Sequence, residues 1–128
     1  MSELKTIKPT EGELEILQVL WDKKEATVRD VHEHLSSTKE VGYTTTLKLM
    51  QIMHEKGLVA RNDSRRTHVY RPAIKKEVTQ QTLVGKMIKN LFGGSSSQLV
   101  MQALGSQQIS QEEINEIQNL LNNLKQQS

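Results

Sequence analysis

Lys48 and Gln51 stand three residues apart in a stretch of helical periodicity, so their side chains leave one face of a helix. A lysine there can donate to guanine O6 or N7, and a glutamine can pair with adenine. Thr44, Thr45 and Ile52 share or flank that face and suit thymine methyls or phosphates, while Leu47, Leu49, Met50 and Met53 take the rest of the wheel. Arg61, Arg65 and Arg66, with His68 and Arg71, form a second group suited to phosphate contacts, which position a protein without reading bases. Thr27 and Arg29 form a third, at the start of a short helix whose terminal amides can also meet a phosphate.

Each group has a plainer explanation. A polar helix face can simply be solvated, arginines on a hairpin can protect a strand edge by charge, and Thr27 can be only a helix cap. The charge distribution favours the polyanion. Residues 44–76 hold eight of the 17 Lys and Arg but two of the 15 acidic groups, and carry +6. The 43 residues before them sum to −3 and the 52 after them to −1, so an overall +2 conceals one concentrated cationic element.

Other chemistries find little support. The chain has no cysteine, which removes disulfides, a cysteine nucleophile and thiolate metal clusters. His32 and His34 would project about 200° apart on a helix, and His54 and His68 read as surface or core-edge histidines. No phosphate-cradling glycine loop, nucleophile elbow or pair of catalytic carboxylates is present. The expectation is a protein that is not an enzyme and uses no cofactor or metal.

The elements that must position these residues follow from caps and periodicity. Thr10 and Glu13 make a capping box ahead of Leu14, Leu17, Leu20 and Trp21, predicting a helix over about 11–22. Thr27 and Asp30 repeat the cap before Val28, Val31 and Leu35, giving a helix of about eight residues. Thr44 is expected to cap a third helix that reaches Lys56 and stops at Gly57. Residues 58–61 and 67–71 suit strands around the turn formers Asn62 to Arg66, and Pro72, lacking an amide, should close the second. Three helices and a basic hairpin make a winged helix-turn-helix, with the third helix in the major groove.

Beyond Pro72 the pattern becomes helical. Val84, Met87, Ile88 and Leu91 mark one helix, Gly93 to Ser97 interrupt it, and Leu99, Val100, Ala103 and Leu104 mark a short second one. Ser110 and Glu113 form another capping box, after which Ile114, Ile117, Leu121 and Leu124, with Leu120 beside them, make an apolar seam. About 50 residues cannot build an independent core, and only four aromatics serve the whole chain, so a second copy is the expected partner of that seam. The fold class expected is mainly α with a small β-hairpin: residues 1–74 a winged-helix DNA-binding domain, 75–128 a helical dimerisation region. No apolar run approaches the ~20 residues of a membrane span and the stretch Met1 to Gly12 has no signal-peptide core, so no membrane insertion and a cytoplasmic location are expected.

The run Tyr43-Thr44-Thr45-Thr46-Leu47-Lys48-Leu49-Met50-Gln51-Ile52-Met53-His54-Glu55-Lys56-Gly57-Leu58-Val59, followed by Val69-Tyr70, resembles the penicillinase repressor family of bacterial regulators of β-lactamase, methicillin resistance and copper export. The similarity in layout extends from about Ile7, through Leu14-Glu15-Ile16-Leu17 and Leu20-Trp21, to the last helix. It implies a homodimer, held together by an interlaced carboxy-terminal three-helix region, whose amino-terminal winged helices bind a dyad-symmetric operator. It also implies release by a protease activated through a membrane-bound sensor. Two departures are plain, one in the reading helix and one in the signal. Antibiotic-responsive members have an arginine where this chain has Ile52, and the Asn-Phe bond cut in them corresponds to Gln102-Ala103 here. Copper-responsive members use a cysteine cluster, which this chain lacks. With Gly93 to Ser97 expected to be flexible and poor in backbone hydrogen bonds, any inactivating cut is expected between Phe92 and Leu104. The leading reading is a dimeric transcriptional repressor; the alternative is a winged-helix protein-interaction module without sequence-specific DNA binding, which salt-dependent binding to duplex DNA would distinguish.

Overall fold

The computed structural model of the protein describes residues 8–128; the start of the resemblance at Ile7 and most of the stretch Met1 to Gly12 lie outside the described residues. The chain runs α1 (Glu11–Lys23), α2 (Val28–Ser36), α3 (Tyr43–Lys56), β1 (Val59–Asn62), β2 (Val69–Pro72), α4 (Lys76–Leu91), α5 (Ser96–Ser106) and α6 (Gln111–Gln127). It forms two compact units, one extending to Leu83 and the other spanning Val84–Ser128.

The capping boxes act as their spacing predicts. Thr10, Thr27 and Ser110 each accept from the amide three residues on, and Glu13, Asp30 and Glu113 each accept from the cap's own amide. Gly57 ends α3 at φ 82° and ψ 13°, left-handed geometry that glycine adopts without a Cβ penalty. At the end of α1 the same kind of position falls to Lys24, with φ 76° and ψ −40°. An L side chain is strained there.

The expected cap of α3 is corrected. Helix α3 begins at Tyr43 with Gly42 as its cap and no side-chain cap bond, so Thr44 lies inside the first turn. Both the amide of Thr46 and its buried hydroxyl donate to the Gly42 carbonyl, at 3.2 and 3.3 Å, which anchors that turn from within.

Ile16, Leu17 and Leu20 of α1, Val31 and Leu35 of α2, Met50 and Met53 of α3, and Leu58, Val59 and Tyr70 of the hairpin form the buried core of the first unit. Burying each such aliphatic side chain contributes about 1.5–3 kcal/mol. Strands β1 and β2 pair antiparallel, with Arg61 opposite Tyr70 and Val59 opposite Pro72. Ala26, just ahead of α2, adds a third edge by exchanging two backbone hydrogen bonds of 2.9 Å with Tyr70. Trp21 Nε1 donates to the Ile74 carbonyl at 3.0 Å, tying the chain after β2 back to α1. Glu13, almost wholly buried, receives Lys56 Nζ at 2.8 Å and joins the start of α1 to the end of α3.

The carboxy-terminal helices differ from expectation in one respect. Gly93 to Ser97 is not an open linker. Gly94 N–H donates to the Ile88 carbonyl and Ser95 N–H to that of Phe92, both at 2.9 Å, while Ser95 caps α5 by accepting from Gln98 N–H. Gly93 and Gly94 sit at φ 55° and 90°, so two glycines complete the helix stop directly before the next helix start. A cut there would have to undo ordered backbone.

Candidate nucleic-acid interface

Helix α3 buries Thr46, Met50 and Met53 and turns Thr44, Thr45, Lys48, Gln51 and Glu55 to solvent, with Ile52 half-buried at the margin. Four of the five expected base-reading side chains are therefore displayed together, as the 3.6-residue period requires. The turn holding their first residues is fixed by Thr46, and the whole helix is held by Met50 and Met53 in the core.

Beside α3 the first unit has a cleft of about 310 Å³ whose walls come from three elements: Thr27, Val28 and Arg29 of the α2 start, Tyr43, Leu47 and Gln51 of α3, and Arg61, Arg66, Thr67, His68 and Tyr70 of the hairpin. The structure thus brings Thr27, Arg29, Gln51, Arg61 and Arg66 around one concavity. The Ala26–Tyr70 bridge makes this possible, because it fixes the residue before Thr27 against the second strand. Thr44, Thr45, Lys48, Ile52 and Arg65 are not among its lining residues; they lie elsewhere on the same unit.

At the α2 start, the capping box engages the amides of Thr27 and Asp30, leaving those of Val28 and Arg29 as the first-turn donors outside the box. The backbone hydrogen bond from Thr27 holds the Asp30 carboxyl below its ordinary pKa, so a negative charge already occupies this helix end. Any phosphate contact here is made against that charge, by the Arg29 side chain, the Thr27 hydroxyl and the amides of Val28 and Arg29.

Arg61 is engaged as well. Its Nε donates to Asp63 Oδ1 at 2.6 Å and its Nη2 to Oδ2 at 3.2 Å. The Asp63 hydrogen bond, aided by the Tyr70 side chain, raises the guanidinium pKa further, and the same bond lowers that of Asp63. His68 Nδ1 lies 3.6 Å from the same carboxylate. At the hairpin tip Asn62 Oδ1 accepts from Ser64 N–H at 2.9 Å, a local turn that presents the exposed Arg65 and Arg66. Among the described residues neither arginine forms an ion pair.

Tyr43 and Thr67 were not among the residues singled out from sequence. Tyr43 steps by four to Leu47 and Gln51, a spacing that would have placed it on the cleft wall. Its ring meets that of His32 edge-on, with centroids 5.5 Å apart. Thr67 carried no such signal, because its position depends on the path of the hairpin loop. Among the described residues no three His, Asp or Glu side chains converge as a metal site.

In the second unit, Ile114, Leu120, Leu121 and Leu124 of α6 are exposed and Ile117 is half-buried. Leu104, Ile109, Ile114, Ile117 and Leu121 line an apolar groove of about 480 Å³ between α5 and α6. No described helix is long and apolar enough to cross a membrane.

Comparison with known proteins agrees with this architecture. The sequence profile of the family described as "Penicillinase repressor" matches residues 9–123. A penicillinase repressor of Staphylococcus aureus is 22% identical over 120 residues, covering 94% of this chain and 95% of its own. The methicillin resistance regulatory protein MecI of Staphylococcus aureus strain N315 is 24% identical over 118 residues, covering 92% and 96%. The solution structure of the DNA-binding domain of the repressor BlaI superposes with a TM-score of 0.50 at 25% identity, over 59% of this chain and 90% of that domain. The first unit thus has the winged-helix fold of a DNA-binding domain, and the chain belongs to the penicillinase repressor family as a DNA-binding transcriptional repressor.

Proposed function

We propose that the protein works in the cytoplasm as a homodimer that binds a dyad-symmetric operator in double-stranded DNA. The observation that carries this reading is the convergence of Thr27, Arg29, Gln51, Arg61 and Arg66 on one cleft beside the exposed face of α3. In the proposed complex α3 enters the major groove, where Thr44, Thr45, Lys48, Gln51 and Ile52 face base edges. Thr27, Arg29, Arg61, Arg65 and Arg66 lie along the sugar-phosphate backbone. Residues 1–74 form the DNA-binding part and 75–128 the dimerisation part. Ile114, Ile117, Leu120, Leu121 and Leu124 supply the apolar seam, and two α3 helices related by a two-fold axis match inverted half-sites.

Release is proposed to follow cleavage between Phe92 and Leu104 by a membrane-bound sensor metalloprotease, as the family resemblance implies. Gln102 and Ala103 are exposed in the middle of α5, so cleavage there requires that helix to open locally. Mass spectrometry of repressor from induced cells checks this part; an intact chain off its operator would replace cleavage with a ligand or a titrating partner.

The experiment for the main reading is selection of duplexes from a random pool, followed by salt titration. Inverted half-sites should emerge, and affinity should fall by about 10³ or more between about 50 and 200 mM salt if roughly 6–10 phosphates are contacted. Lys48→Ala should weaken the selected duplex by about 1–3 kcal/mol and relax preference at one or two base pairs. The pair Arg65→Ala with Arg66→Ala should instead weaken all duplexes alike and flatten the salt slope. Binding insensitive to salt would sink this reading.

A further inference from the structure

We propose that Asp63 is a specificity-determining residue: its carboxylate occupies the Arg61 guanidinium where a DNA phosphate would sit, and only a correctly seated duplex displaces it. The inference rests on the DNA-binding reading above and deepens it.

Two parallel N–H to oxygen contacts, at 2.6 and 3.2 Å, give Asp63 the forked geometry that an arginine offers a phosphate. The guanidinium is set for that geometry. Arg61 lies opposite the buried Tyr70 in the strand register, which holds its backbone in place beneath the pair. The Arg61 side chain is 23% exposed and that of Asp63 52%, so the carboxylate is the outer member of the pair. A phosphate approaching the fork meets Asp63 first. Arg61 also lines the cleft that holds Gln51, so a guanidinium released from Asp63 would stand beside the reading helix.

Asp63 is one of two acids in the +6 segment, the other being Glu55. Its presence in the seat of a phosphate opposes any loosely held backbone through like-charge repulsion. Contacts from α3 to matching bases would fix one phosphate against the fork and drive the exchange; on random sequence no such fixation occurs. Arg61 then contributes a phosphate contact chiefly in the specific complex. The ratio of specific to random binding widens accordingly, at the expense of absolute affinity.

The test is Asp63→Asn, measured by fluorescence anisotropy on a random duplex and on one selected by the wild-type protein, with melting temperature as the check of folding. Binding to the random duplex should strengthen about tenfold and to the selected duplex only about threefold, and the random-duplex salt slope should steepen by about 0.9 per protomer. In an Arg61→Ala background the same substitution should change random binding by no more than about twofold, because the exchange partner is gone. Equal gains in both backgrounds would reduce Asp63 to a diffuse charge and overturn the proposal, as would no gain at all. Should the asparagine variant melt at a different temperature, Asp63→Ser must reproduce the same inequality between backgrounds. A wild-type protein without salt-dependent binding to any duplex would instead remove the DNA reading itself, an outcome distinct from equal gains.

Discussion

The two units place their apolar residues in opposite ways. Among the described residues all thirteen buried hydrophobic ones, from Ile16 to Tyr70, belong to the first, while Met87, Leu91, Met101, Leu120, Leu121 and Leu124 of the second are exposed. The first closes a core from three helices and a hairpin; the second has regular helices, a full capping box on α6 and no buried hydrophobic residue among those described. Helix formation and core formation are thus separable. Caps and periodicity mark where helices begin and end, whereas a core needs enough chain to enclose a volume.

The contrast is broken most severely by charge in the α6 seam. Ile117→Asp with Leu121→Asp should remove about 4 kcal/mol or more of association by burying unpaired carboxylates. Sedimentation should show monomers while the first unit retains its melting transition; a folded, dimeric double mutant would mean the seam packs within one chain. Leu20→Ala should destabilise the first unit by about 3 kcal/mol regardless of protein concentration. Leu124→Ala, by comparison, should lower a melting temperature that itself rises with concentration. Scans at two concentrations separate the pair.

A smaller effect concerns acid. Burial raises the Glu13 pKa, but hydrogen bonds from Lys56 and Thr10 outweigh it and hold the carboxyl below its ordinary value of 4.5. A depressed folded-state pKa gives stability that is present above the unfolded value and lost as pH falls through the folded one. Glu13→Gln should therefore cost about 1 kcal/mol near neutral pH, and the difference from wild type should vanish as pH drops below 4.5. Denaturant titrations at neutral and acid pH measure this. Lys24→Gly is the mildest change: relief of the strained φ of 76° should stabilise the first unit by about 0.5–1 kcal/mol. A thermal melt reads it directly.

What was legible in the sequence was local. Thr10-Glu13, Thr27-Asp30, Ser110-Glu113 and Gly57 announce their helix ends because both partners in each contact are within four residues. The exposed face of α3 followed from period alone. Thr44 was misplaced because a threonine and a glycine both suit an N-cap, and the choice is made by Thr46 turning inward to Gly42 O. The Arg61–Asp63 fork has no sequence signature, because alternate residues leaving a strand for the turn have no fixed facing; the loop path decides whether they meet. Nothing local signals that Ala26 pairs with Tyr70, 44 positions later.

That pairing has a consequence in isotope-exchange experiments. The amide hydrogens of Ala26 and Tyr70 each sit in a 2.9 Å bond, on residues 4% and 1% exposed, in the bridge that joins the start of α2 to the hairpin. Their deuteration should follow opening of the first unit as a whole, at a rate indifferent to whether α6 is engaged. Two amides, observed at single-residue resolution, thereby act as an internal clock: they stay protonated when a seam variant merely falls apart, and begin to exchange only when the DNA-reading fold itself is lost.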